Sequence, residues 1–419
     1  MKVLWITNIT FPEALSLLGE KFSHKGGGGW MLASAEALIK ESGVQLYVVS
    51  TSSLVNELTR LQGKGIIYYV MPCCRNIVGY ELYMSKLNDE IIPDIVHIHG
   101  TELPFGWAWL NSCPADNVVV SLQGVVSVIA RYYLAGLSTK EILGNITLRD
   151  LLRSTLYGEK REFYQRGIKE IDVLRKVKHI IGRTEFDRAH SKTINPDANY
   201  YYCGESLRSE FYTGNWSYKS CTPHTIFLSQ GAYPLKGLHM ILKALPAIRN
   251  KYPDVKIRIA GDDIVHRNGI ISKLRQPGYS KILSRIIKQS MLEDCIFFTG
   301  RLDAEGMKRE YLNANVFVCP SAIENSPNSI GEAQLLGVPI IASYAGGIPD
   351  MMKGDEVHLY RFEEIEMLAE KIIAVFDKNE NINTHKMSVM ARQRHDVKSN
   401  TQSLVGIYNE IISLVEVLD

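Results

Sequence analysis

The chain has 419 residues, 46% of them apolar and 22% charged, with 47 Lys and Arg against 45 Asp and Glu. That balance excludes a disordered, collagen-like or disulfide-framework protein, and a formal charge of +2 supplies no field that would draw nucleic acid. A single hydrophobic core stops growing at about 250–300 residues, so two domains are expected.

The first ten residues carry one Lys and a short apolar run broken by Thr7 and Asn8. They read as a first buried strand, not a signal peptide. No apolar run approaches the ~18 residues of a membrane span. Seven cysteines, of which only Cys73 and Cys74 are adjacent, show no metal-pair spacing and read as reduced thiols of a cytoplasmic protein.

Val3–Thr7, Val44–Ser50, Ile66–Val70, Ile95–His99 and Val118–Leu122 are short β-branched runs bounded by turn residues, the pattern of strands buried on both faces of a parallel sheet. Between the first two, Trp30–Glu41 has helical spacing and stops before Gly43. Glu159–Lys178 mixes Lys, Arg, Asp and Glu with apolar residues at helical spacing and reads as a solvated helix face. Periodicity is lost across residues 204–224 and then restarts. Strands are expected at Thr225–Leu228, Val255–Gly261, Cys295–Thr299, Val316–Pro320 and Pro339–Ser343, with a helix over Gly237–Tyr252 and a last helix over Asn400–Val417. The fold class is therefore α/β with two doubly wound, Rossmann-like domains. Their limits are 1–210 and 211–395, with 396–419 as a C-terminal helix crossing back to the first domain. Ligands of such sheets bind beyond the carboxyl ends of the strands.

The most informative stretch is residues 320–343. A strand ends at Pro320, a polar loop follows, and Ser326 or Asn328 is placed to cap a helix over Ser329–Leu336 that Gly337 and Pro339 terminate. Free amides in that first turn make an anion site. Glu324 and Glu332 flank it, suited to accept hydrogen bonds from hydroxyls on either side of a diphosphate. A second site is the run from Ser229 to Gly237, where Lys236 opens a helix after a strand and can reach a phosphate as a point charge. Gly26, Gly27, Gly28 and Gly29 let backbone approach a ligand closely. His97 and His99 fall on one side of a strand and, with no third ligand cluster, read as a packed pair and not a metal site. Gly261 closes a strand at a glycine turn. Phe297–Leu302 is a strand end whose backbone could pair with a nucleobase, and Gly182–Asp187 is placed to line an acceptor side.

The 320–343 stretch, with its two glutamates, resembles the signature of retaining GT-B glycosyltransferases of family 4, and the glycine turn at Gly346 and Gly347 fits the same pattern. The resemblance implies a GT-B fold and transfer of a hexose from a UDP- or GDP-type sugar to an acceptor hydroxyl, with retention and without a metal or other cofactor. It implies Glu324 at the donor sugar and Glu332 at the ribose. Asn325, Ser326, Asn328, Ser329 and Ile330 would offer amides to sugar and phosphate, with Lys236, Gly261 and Gly26–Gly29 completing the donor site. Leaving-group oxygen, not an enzymic nucleophile, would take the acceptor's proton. His99 and Gln123 would face the reacting sugar. Two positions depart from the family: Gly231 stands where an Arg is usual, and Gln123 where His is common. Gln cannot act as a general base. The implied acceptor is a glycan or lipid-linked glycan of bacterial surface polysaccharide, handled at the inner face of the membrane by peripheral contact. A soluble transferase making a small glycoside, a catalytically degenerate nucleotide-binding or scaffold subunit and a nucleotide-sugar epimerase are the alternative readings.

Overall fold

The computed structural model describes residues 1–20, 29–41, 43–266, 269, 274–354, 358–378 and 384–417, and the chain divides into two compact units. The first comprises 1–127, 165–208 and 394–419; the second comprises 128–164 and 209–393.

The first unit holds an eight-stranded sheet of β1 (Lys2–Ile6), β2 (Gln45–Thr51), β3 (Thr59–Gln62), β4 (Ile66–Met71), β5 (Ile95–His99), β6 (Val118–Ser121), β7 (His179–Gly182) and β8 (Asn199–Tyr202). The spatial order is β3-β4-β2-β1-β5-β6-β7-β8, and every neighbouring pair is parallel except β3 with β4. Apolar cores cover both faces, which is why the central strands are continuous apolar runs. Strand order reverses between β1 and β5, so the switch point lies where Thr7 and Gly100 leave the sheet. The helix Val397–Glu416 belongs to this unit. Its Tyr408 is fully buried, accepting from Trp5 Nε1 at 3.0 Å and lying 2.6 Å from His97 Nδ1.

The second unit holds β9 (Thr225–Leu228), β10 (Lys256–Ile259), β11 (Ile296–Phe298), β12 (Val316–Cys319), β13 (Ile340–Ser343) and β14 (Leu359–Tyr360), all parallel in the order β11-β10-β9-β12-β13-β14. Its switch point lies between β9 and β12.

One expectation needs correction. The segment 128–164, assigned from sequence to the first domain, is part of the second unit. Leu137, Ile142 and Leu156 share one apolar core with β9, β10 and β12. Asp150 accepts from Gly278 N at 3.1 Å, and Lys243 pairs with Glu141 at 2.9 Å. The segment's short helices Thr139–Leu143 and Leu148–Leu152 are each set by a capping box, too brief to show a helical period. The helix Leu156–Lys176 does present the expected solvated face, with Arg161, Glu162, Lys169, Asp172, Arg175 and Lys176 exposed, but its opposite side is buried. Its Glu170 is fully buried and accepts from the Thr101 hydroxyl (2.6 Å), Val126 N (2.9 Å), Ser127 N (2.9 Å) and the Ser127 hydroxyl (2.8 Å). That carboxylate closes the start of the helix Val126–Tyr132.

Candidate functional site

At the switch point of the second unit two loops are locked together by close backbone approaches. The loop after β9 ends in a turn over Pro234–Lys236 and then Gly237, at φ 70°. A Cβ on Gly237 would lie 1.6 Å from Pro320 O, so no other residue fits while the loops stay in place. Ala322 N donates to Leu235 O at 2.8 Å. On the far side Gly346, at φ 58°, comes so near the Glu324 carbonyl that a Cβ would sit 2.0 Å from its oxygen. Gly347 N donates to that same oxygen at 3.0 Å, and the Ser343 hydroxyl to Ser321 O at 2.5 Å.

This scaffold brings Lys236 Nζ onto Glu324 Oε1 as an ion pair, with side chains 15% and 16% exposed. Burial works against the ammonium, but the Glu324 carboxylate outweighs it and holds the lysine above its ordinary value. The ammonium also lies 5.7 Å from the centre of the Tyr233 ring. The lysine expected to reach a phosphate and the glutamate expected at a sugar hydroxyl are thus each other's partners.

The helix after β12 runs over Asn328–Leu336 with Pro327 at its N-cap and no side-chain cap bond, so neither Ser326 nor Asn328 caps it. Proline sets the entry angle without a cap, its φ being fixed near the required value. The Ile330 amide is used by Pro327 O at 3.0 Å, which removes it as a ligand donor. Among the described residues, the amides of Asn328 and Ser329 have no acceptor in the chain and stand at the positive end of a nine-residue helix. Glu332 is buried, its Oε2 3.4 Å from the Tyr311 hydroxyl, which donates to Ser329 O at 3.0 Å. Tyr311 was not singled out in the sequence. It comes from the helix Ala304–Asn313, outside the motif, and nothing local marks it.

Gly261, at φ 115°, donates to Gly300 O at 2.9 Å and faces open space where a side chain would stand. Beside it Arg301 pairs with Asp262 at 2.9 Å. At Gly231, a Cβ would lie 2.7 Å from Leu238 Cδ2, so the Arg usual in the resembled family would require the Leu238 side chain to move. Gly26, Gly27 and Gly28 lie outside the described residues; Gly29 opens the helix Gly29–Leu38.

In the first unit, His97 and His99 stack at 3.9 Å between ring centres, with Trp5 4.4 Å from His99. Burial holds both imidazoles neutral, His97 down to about 3 and His99 also well below the usual range. His97 Nε2 lies 2.6 Å from Ser121 Oγ, whereas both His99 nitrogens and Gln123 Nε2 are buried with no hydrogen-bond partner among the described residues. Arg183, from the Gly182–Asp187 run, is ion-paired with Glu205 and donates to Leu122 O. Among the described residues, no group of three or more His, Cys, Asp or Glu could hold a metal ion, and no helix is long and apolar enough to cross a membrane.

Residues 219–394, which include every element of the Lys236–Glu324 site, match the family described as "Glycosyl transferases group 1". That stretch is similar to a group 1 glycosyl transferase domain. The chain is 28% identical over 120 residues to sulfoquinovosyl transferase SQD2 of Arabidopsis thaliana, covering 29% of this chain and 20% of that protein. It is 26% identical over 124 residues to a GDP-mannose-dependent phosphatidylinositol monomannoside mannosyltransferase of Mycolicibacterium smegmatis, covering 28% of this chain and 29% of that one. The matches to these curated relatives therefore span well under half their lengths. The crystal structure of Anabaena HepE in complex with UDP-glucose has a TM-score of 0.66 at 15% identity, covering 98% of this chain and all of that one. The fold is GT-B, with two doubly wound α/β units.

Proposed function

We propose that the chain is a retaining, metal-independent hexosyltransferase using a UDP- or GDP-sugar and a glycan or lipid-linked glycan acceptor. The observation that carries this reading is the Lys236–Glu324 pair at the β9/β12 switch point inside the stretch similar to a group 1 domain. Donor binding inserts a diphosphate beside the ammonium and the amides of Asn328 and Ser329, releasing Glu324 to a sugar hydroxyl. The acceptor oxygen bonds to the anomeric carbon as the bond to phosphate breaks, and the departing phosphate oxygen takes the proton. Preorganised positive charge stabilises that leaving group. Glu332 accepts from the ribose. HepE is described in complex with UDP-glucose and the mannosyltransferase as GDP-mannose-dependent, which supports a nucleoside-diphosphate donor here.

Contact with an inner membrane face fits the short helices of 128–164, where Leu151 and Leu152 are 71% and 77% exposed and Lys140 and Arg153 are exposed as well. Exposed apolar and basic side chains on one segment suit an anionic lipid interface.

Release of UDP or GDP from a panel of nucleotide sugars, with and without EDTA and anionic vesicles, tests the reading. One sugar nucleotide is turned over, EDTA has no effect, and vesicles bind the chain. Binding of a nucleotide with no turnover of any sugar favours the degenerate subunit, a reading kept open by the missing cation at Gly231.

A further inference from the structure

The second unit has a recess of about 290 Å³ separate from the Lys236–Glu324 pair. Its walls come from 128–164, from the loop after β9 and from the start of the helix Gly278–Gln289. Four aromatic residues line it: Tyr133, Phe163, Tyr233 and Tyr279. Tyr133 and Phe163 lie 4.8 Å apart, centre to centre, at 39°, and the Tyr233 ring is 37% exposed. Polar groups stand among them. Glu159 Oε2 accepts from the Tyr133 hydroxyl at 2.9 Å, and Arg149 lies 3.5 Å from the nearly buried Asp150. No other hydrogen bond reaches the Glu159 carboxylate among the described residues.

We infer that this recess binds a neutral sugar ring of the acceptor. Its volume is at the lower end of small-ligand sites, enough for about one ring. Aromatic faces meet the C–H face of a pyranose, while a carboxylate with acceptor capacity and a partly exposed guanidinium take hydroxyls at the rim. Charge argues against an anion: Asp150 neutralises the one arginine, and Glu159 adds a second carboxylate. The recess is next to the candidate reaction centre through Tyr233, whose other neighbour is the Lys236 ammonium. Assigning the bound sugar to the acceptor rests on the transferase reading; the recess as a saccharide site does not.

The test uses the full-length chain and neutral gluco- and galacto-disaccharides at millimolar concentration, read by saturation-transfer NMR, with UDP and GDP binding measured in parallel. Variants are Phe163→Leu, which keeps an apolar side chain but removes the ring, and Glu159→Gln, which removes the charge. At least one disaccharide binds, and each variant weakens it roughly five- to tenfold while nucleotide binding and the unfolding midpoint hold. Absence of binding by every disaccharide, or binding untouched by both variants, overturns the assignment. So does tighter binding of a sugar phosphate that Arg149→Ala abolishes. Saccharide binding that persists while no nucleotide binds and none is turned over sinks the transferase reading and leaves the recess.

Discussion

Lys236 and Glu324 are each largely buried and depend on the other. Removing one partner of such a pair leaves an uncompensated charge, which is costlier than the pair is favourable. Lys236→Ala is expected to lower stability by about 2–4 kcal/mol and to abolish sugar transfer. Lys236→Met with Glu324→Gln should recover most of the stability and none of the activity. Chemical denaturation and product assay on the three proteins check this; a double variant no more stable than Lys236→Ala contradicts the pairing. Both residues were legible in the sequence as site residues, because each follows a strand and opens a helix. Their mutual pairing was not, since the two loops are 88 positions apart and only the sheet order makes them neighbours. The Ile330 amide shows the opposite failure: its place in the first turn suggested a donor, and the turn's own geometry consumes it.

Elements fix the site through glycines more than through side chains. Gly346 has a left-handed φ and no space for a methyl group against Glu324 O, so Gly346→Ala must push the 320–324 loop away. The expected result is loss of transfer with at least about 1 kcal/mol of destabilisation, and normal turnover by this variant would show that loop position does not matter. The central strands were readable because both their faces are buried. β3, β8 and β14 were not. Thr59–Gln62 and Asn199–Tyr202 are edge strands rich in polar and Tyr residues, and edges lack the apolar run that marks a strand buried on two faces. The 128–164 segment escaped for another reason. Its helices are short, and its allegiance is decided by side chains such as Asp150 reaching Gly278 N, far away in sequence.

Across the molecule, acid should act unevenly. Burial depresses His97 and His395 to about 3 in the first unit, and His99 and His179 there are also lowered, whereas the second unit has His239 at about 4. Such a group is neutral in the folded chain and charges on unfolding, so its contribution is intact above the unfolded value of about 6.5 and is lost as pH falls toward the folded one. Each costs up to about 1.4 kcal/mol per pH unit over that interval. Glu141, lowered to about 2 by its Ser138 and Lys243 partners against the opposing effect of burial, begins to matter only below about pH 4.5. Hydrogen exchange near neutrality and near pH 5 should therefore show protection falling more in the first unit than in the second; equal loss contradicts the burial argument.

The central claim is a nucleoside diphosphate held at the β9/β12 switch point. The most direct measurement is calorimetric titration of the native chain and of Glu332→Ala with UDP, GDP, ADP and CMP. UDP or GDP is expected to bind, with affinity falling at least roughly tenfold in Glu332→Ala, whereas CMP, with one phosphate, binds weakly or not at all. Binding of none of the four, or equal binding by both proteins, would contradict that claim.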